Sequence, residues 1–490
     1  MKYKNPIIKG MYPDPSVCCV NGIYYMVNSS FEYFPGVPIF SSINLINWTQ
    51  IGNCLSRVSQ LDLGNSLCSE GIFAPTIRWN NGKFYVITTY TSRKGLLNFL
   101  VTAEDPAGEW SDPIYLELDG IDPSLYWEEE NTYVQYAGRG EIFQIQIDEN
   151  SGEILKGPIS LTFGCGGRDA EGPHLWKRNG YYYLMLAEGG TREGHFETMM
   201  RGENIWGPFI PSPYNPVISN KDLGREPIQC VGHADWIVGP DHKDYLVTLG
   251  TRHVRHKTIL GRETMLTPAY WTEDGWLKSQ YGYMPMEWEG NLGTEQNKDN
   301  NFELDRNRIL MPFRIISPRT DNRSYYQFKD NQLIIRANDY ILDDGKASFW
   351  GIRQGEIEFS LEIKLKCDPK DEKDEIGLAM ISADKYYMSL FCTIRNNEKA
   401  IVLKKKMEDI ETETIYHLKT ELCNENFVCL KICGRSNQYD FYYIDQFIGS
   451  SYQKHLSAES AETPNTGVVG GFYIVGNGKA IVESFTYIEG

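Results

Sequence analysis

Three acidic residues that lie far apart in the chain share one local setting. Asp14 stands in Tyr12-Pro13-Asp14-Pro15-Ser16, Asp122 in Ile121-Asp122-Pro123-Ser124-Leu125, and Glu171 in Glu171-Gly172-Pro173-His174-Leu175. Carboxylates crowded into a partly dry site cannot all ionise cheaply, so one takes a raised pKa and keeps its proton. Such a group can give a proton to a departing oxygen, while a neighbour that stays ionised draws a proton from water. A third acid would tune the donor and hold it in place. Asp before Pro is also a common turn former, which alone would explain either aspartate. Two aspartates at equivalent places in a repeat are harder to explain that way.

The repeat is what would bring the three together. Asp14-Pro15-Ser16-Val17, Ala74-Pro75-Thr76-Ile77, Asp122-Pro123-Ser124-Leu125, Gly172-Pro173-His174-Leu175 and His233-Ala234-Asp235-Trp236 follow one pattern, with steps of 60, 48, 50 and 61 residues measured on the Pro or Ala. Each is followed, after a turn, by an aromatic strand: IYYMVNSSF, KFYVITTY, TYVQYAG, YYYLMLAEGG and DYLVTLGT. Repeats of this length, rich in aromatic strands, are blades of a radial β-sheet array. The first position of each repeat then sits at an equivalent place around one axis. Asp14 and Asp122 hold that position, and Glu171 precedes it by one residue. The second strand of each blade returns to the same face, which brings Phe31 towards Asp14 and Glu188 towards Glu171. Phe31 and Phe73 would wall the pocket, and Glu188 competes with Glu171 as proton donor. His233 reads equally well as a structural histidine. Arg262 reads as an ordinary surface ion pair, with Glu263 as its partner or as an unrelated strand residue. A division between a protonated and an ionised carboxyl is what cleavage of a glycosidic bond needs.

The composition fits this architecture. A chain of 490 residues implies two or three domains. Aromatics make up 13%, with 31 Tyr and 11 Trp, which suits strands and also the packing of rings against sugars. The net charge of −17 and the lack of any basic stripe argue against nucleic acid as a partner. No segment reaches the apolar length of a membrane span. The start, MKYKNPIIKG, runs directly into the first repeat, so no secretion signal and a cytoplasmic location are expected. The 11 Cys lack metal spacing and read as reduced thiols. Residues 290–307 are polar and aperiodic and read as a linker. It would divide a five-bladed propeller over 1–295 from an antiparallel β-sandwich over 305–490. ETETIYHLKTEL, residues 411–422, is ambiguous, and no long helix is expected anywhere.

NPIIKGMYPDPSV, SSFEYFPGVPIFSSINLINWTQIG, GIFAPTIRW, DPSLYW, AEGPHLWKRNGYYYLMLAEGG and LGRET together resemble glycoside hydrolase family 43, in particular its two-domain bacterial β-xylosidases. The resemblance covers nearly the whole chain. It implies an all-β protein, a five-bladed propeller followed by a jelly-roll-like β-sandwich that covers one side of the active site. It also implies roles: Asp14 as general base, Asp122 as pKa modulator and orienter, and Glu171 as general acid, with Glu188 in support. By the same resemblance Arg262 binds a substrate hydroxyl and Phe31 belongs to the glycone pocket. His233 lies near the axis, where in some relatives a histidine helps hold a cation. Phe73 stands where such xylosidases usually carry Trp, and Ile121 where Phe often precedes the Asp. Both changes bear on sugar preference. The expected activity is inverting and exo-acting, releasing xylose from the non-reducing end of β-1,4-xylo-oligosaccharides, with the two carboxyl groups roughly 6.5–9.5 Å apart. The alternatives are an α-L-arabinofuranosidase or a bifunctional enzyme of the same fold and, more remotely, a non-catalytic carbohydrate-binding propeller. No cofactor is required, although a structural divalent cation such as calcium could occupy the axis with His233 as a ligand. The expected partner is a small oligosaccharide, with no nucleic acid or membrane, and a homo-oligomer is open.

Overall fold

The computed structural model describes residues 1–293, 295–297, 301–305, 313–329, 332–418 and 427–490. Among these, the only α-helix is the single turn Ala458–Ala461. The chain divides into two compact units. The first comprises Met1–Ile8, Tyr12–His253 and Arg262–Asn297, and the second Lys9–Met11, Val254–Gly261 and Lys298–Gly490.

The first unit is a five-bladed propeller of antiparallel sheets. Blade one is Ser16–Val20, Ile23–Val27, Gly36–Ser42 and Thr49–Leu55, and blade two is Thr76–Asn80, Lys83–Ser92, Gly95–Ala103 and Ile114–Leu116. Blade three is Ile121–Glu128, Asn131–Gly138, Glu141–Ile147 and Ile154–Thr162. Blade four is Glu171–Arg178, Tyr181–Glu188, Phe196–Gly202 and Ile210–Pro211, and blade five is Ile228–Val238, Asp244–Val254, Glu263–Trp271 and Leu277–Ser279. Three of the inner hairpins turn on Asn-Gly pairs, Asn21-Gly22, Asn81-Gly82 and Asn179-Gly180, with positive φ at both residues. That is the signature of the two-residue turn whose twist matches paired strands. The strand order inside each blade follows from these short connections.

A separate apolar cluster fills each junction between neighbouring blades. Phe99 and Val27 lie in that between one and two, Leu100 and Val134 between two and three, and Leu184 and Ile142 between three and four. Met265 and Met185 lie between four and five, and Tyr245 and Met26 between five and one. The last of these joins the two ends of the ring. There Lys2–Lys4 pairs with Glu287–Glu289, and the Asn5 side chain donates to the carbonyl of Leu266 and accepts from its N–H at 3.0 and 2.9 Å.

The second unit is a β-sandwich. One sheet has the order Tyr326–Lys329, Gln332–Arg336, Lys479–Glu489, Phe359–Cys367, Val428–Arg435, Gln438–Tyr443 and Gln446–Tyr452. The other runs Ser348–Arg353, Val469–Val475, Glu375–Ala383, Tyr386–Arg395, Glu398–Met407 and Ile410–His417. Period-2 alternation is plain in Phe359–Cys367, where Phe359, Leu361, Ile363 and Leu365 are buried and Glu362 and Lys364 are exposed. The ambiguous stretch at 411–422 is edge strand as far as His417, and its residues 419–422 lie outside the described residues.

The stretch expected as linker is not all linker. Phe302–Asp305 forms a strand against Lys479–Glu489, while residues 294, 298–300 and 306–307 of it lie outside the described residues. The second unit also takes in Val254–Gly261 from within the propeller's sequence. Ile259 joins the sandwich core, and the Thr258 N–H donates to Glu459 at 3.0 Å.

Candidate active site

The first position of four repeats adopts the same unusual backbone. Asp14, Asp122, Gly172 and His233 have φ of 53°, 55°, 57° and 50°. Asp, His and Gly are among the residues that tolerate this left-handed region. Glu171 itself stays in extended strand one residue before the kink. In blades three, four and five the inner strand shifts register at this point, between Ile121 and Ser124, between Glu171 and His174, and between Gly232 and Asp235. Such bulges re-aim side chains at the ends of strands. Glycine is required at 172 for a second reason: a Cβ there would meet the His233 ring at 2.9 Å. Gly172→Ala is expected to destabilise the propeller by about 1–3 kcal/mol from backbone strain alone, read as a lowered thermal midpoint with activity falling alongside it.

Asp14 is the best anchored of the three acids. Arg262 reaches it with both terminal nitrogens, Nη1 to Oδ1 at 3.0 Å and Nη2 to Oδ2 at 3.3 Å. The Ser29 hydroxyl donates to Oδ2 at 2.5 Å, and His233 Nδ1 lies 3.8 Å from Oδ1. Burial alone would raise this carboxyl, but Arg262, His233 and Ser29 together hold it below the usual carboxylate range. Arg262 is therefore not a surface residue. It is 5% exposed, is steadied by Thr191 Oγ1 at 3.1 Å, and lies 5.4 Å from the ring of Phe31. Glu263 has a different partner, Arg252, at 2.6 Å. The Phe31 and Phe73 rings meet at 5.7 Å, and of the two only Phe73 keeps exposed surface.

Asp122 and Glu171 form the second group. Asp122 Oδ2 accepts the Gly172 N–H at 3.1 Å, which ties it to the residue next to Glu171. Burial, then the charges of Glu171 and Asp14, push the Asp122 carboxyl well above its ordinary range. Burial and the charge of Asp14 raise Glu171 to about 7, against the opposing pull of Arg262. The structure thus gathers all three acids within one another's electrostatic reach and divides them, with Asp14 held ionised and the Asp122–Glu171 pair held towards the neutral form.

Glu188 is occupied elsewhere. Its carboxylate, fully buried, accepts from the N–H groups of Cys165 and Gly167 at 2.8 and 2.6 Å and from the Thr198 hydroxyl at 2.7 Å. It clamps the loop that leads into Glu171. Glu188→Ala would leave these donors unmet, at about 1–3 kcal/mol for each that stays buried, and should lower the thermal midpoint more than any surface Glu→Ala.

Several supporting residues carry no signal in the repeat pattern. Ser29 and Thr191 are single hydroxyls on loops. Arg78 and Asp235, both on inner strands, form a largely buried ion pair at 2.9 Å, joined by the Ser16 hydroxyl to Asp235 at 2.9 Å and by His174 Nδ1 to Arg78 at 3.1 Å. This network links blades one, two, four and five. Arg78 and Asp235 both lie within the motif segments, and their opposite charges were the available clue. Burial pushes the His174 imidazole down to about 3, so it stays neutral. Among the described residues no three His, Cys, Asp or Glu side chains converge as a metal would need, and the Asp14 carboxylate beside His233 is already committed to Arg262.

Residues 3–277 match glycosyl hydrolases family 43. The chain belongs to this family. It is a glycoside hydrolase, and residues 311–488 match the β-xylosidase C-terminal concanavalin A-like domain. A non-reducing end α-L-arabinofuranosidase of Bacteroides ovatus is 35% identical over 497 residues, covering 98% of this chain and 92% of the relative. A xylosidase/arabinosidase of Butyrivibrio fibrisolvens is 37% identical over 428 residues, covering 82% and 80%. The crystal structure of a xylan β-1,4-xylosidase from Bacillus halodurans has a TM-score of 0.93 at 27% identity, over 99% of this chain and 100% of that one.

Proposed function

We propose that this family 43 enzyme acts from the non-reducing end of short β-1,4-xylo-oligosaccharides and releases xylose with inversion. The observation that carries the proposal is the division of the carboxyls, Asp14 held below the usual range by Arg262 and Glu171 raised to about 7. Glu171 gives its proton to the leaving oxygen. Asp14 takes a proton from the water that attacks the opposite face of the ring. Through the hydrogen bond it accepts from the Gly172 N–H, Asp122 holds the segment that carries Glu171 in place. The Arg262 Nε–H, buried and without an acceptor among the described residues, supplies a donor for a sugar hydroxyl. In early turnover, proton NMR should show the anomer opposite to that of the substrate. Retained product would reject the scheme.

A second reading, arabinofuranosidase or dual activity, is supported by the names of the relatives from Bacteroides ovatus and Butyrivibrio fibrisolvens. Paired assays on 4-nitrophenyl β-D-xylopyranoside and α-L-arabinofuranoside decide between them. The xyloside is expected to have the higher kcat/KM, and the reverse order would transfer the assignment to arabinose.

A further inference from the structure

Blade four carries a cleft that the catalytic scheme does not use. It has a volume of about 470 Å³ and is lined by the 165–168 loop, Phe196, Asn215 and Lys221, among others. That size is in the range of small-ligand sites. Its walls are built rather than incidental. Asn215 donates to Cys165 Sγ at 3.3 Å and to the Met199 carbonyl at 3.0 Å, and Glu188 grips the loop from below. Gly167 lets the loop lie directly on the Phe196 ring, where a Cβ would come within 2.7 Å.

Both segments that form the rim lead to the reacting groups. Arg168 lines the cleft and lies close enough to Glu171 to oppose the rise in its pKa. The 189–194 segment lines it too and carries Thr191, which steadies Arg262. Since Glu171 protonates the leaving oxygen, the cleft adjoins the leaving-group side of the bond. Its ionic lining is cationic in a chain of net charge −17. Arg168 shares its charge with Asp169 at 3.4 Å, whereas the Lys221 ammonium makes no ion pair among the described residues and lies 5.5 Å from the Phe196 ring. An aromatic face beside an uncommitted cation suits a sugar ring that carries a carboxylate.

We infer that this blade-four cleft binds a uronosyl substituent on the leaving-group side of the substrate, with Lys221 meeting its carboxylate and Phe196 its ring. The inference rests on the glycosidase reading above for the direction of the substrate. The test is equilibrium binding to the full-length Glu171→Gln protein, comparing xylobiose with xylobiose bearing a uronosyl branch on its reducing-end sugar. The branched sugar should bind about five-fold more tightly at low salt, the scale of one half-exposed charge contact. Added salt, or Lys221→Met on the same background, should bring the ratio to near one. Equal binding of the two sugars, or a preference that survives Lys221→Met, would overturn the assignment. Turnover of nitrophenyl glycosides by the unmodified enzyme is measured separately. Its absence would remove the catalytic reading while leaving the binding result to stand or fall alone.

Discussion

Glu171→Gln should lower kcat/KM on xylobiose by about 10²–10⁴-fold, the usual contribution of a positioned general acid. The loss should be much smaller on a nitrophenyl xyloside, whose leaving group departs without a proton. A side chain that merely supported the fold would depress both substrates together, so the ratio of the two losses is the diagnostic measurement. The pH profile gives a second signature. Glu171, raised to about 7 by burial and by Asp14, must be protonated to work, so activity should decline as pH climbs through that value. In the glutamine variant this alkaline limb should vanish while the acidic limb remains. An alkaline limb unchanged in Glu171→Gln would reassign the proton donor.

Asp14→Asn should cost about 10²–10⁴-fold on both substrates alike, because activation of water is needed whatever the leaving group. The acidic limb of the parent should lie below the ordinary range of free aspartate, since Arg262 and its neighbours hold this carboxyl down. The change has a structural cost as well. It strips Arg262 of its charge partner inside the protein, and breaking a buried pair on one side costs about 3–5 kcal/mol. A double variant that also replaces Arg262 by Met should recover thermal stability but not turnover. Recovery of activity in that double variant would show that Asp14 acts through packing. A propeller that only binds sugar predicts something else again, namely Asp14→Asn and Glu171→Gln proteins that bind like the parent.

Much of this architecture is legible in the chain because its signals are local. The repeated motif, the aromatic strand and, in three blades, the Asn-Gly turn all fall within some twenty residues, and each blade is built from contiguous chain. What escapes the sequence is non-local. Phe302–Asp305 is only four residues long and becomes a strand because Lys479–Glu489 supplies its partner. Val254–Gly261 joins the second unit through Ile259, with nothing in its own composition to say so. The site follows the same rule. The candidate residues could be listed from the motifs, but only the family resemblance set Arg262 apart from a surface arginine, since its partner lies 248 residues away. Glu188 looked like a rival proton donor because its three hydrogen-bond donors are set by loop geometry rather than by spacing.

The pairing of Asp14 with Arg262 and His233 has a consequence for when the enzyme becomes competent. Asp14 opens blade one, whereas Arg262 and His233 belong to the last blade to be synthesised. The proposed base is therefore assembled across the seam where the circle of blades shuts. A nascent chain with four blades made would already carry both Asp122 and Glu171, yet its Asp14 would lack the guanidinium that keeps it charged. Under the proposed scheme, catalysis begins only after the final blade docks, and hydrolytic activity would double as a readout of ring closure.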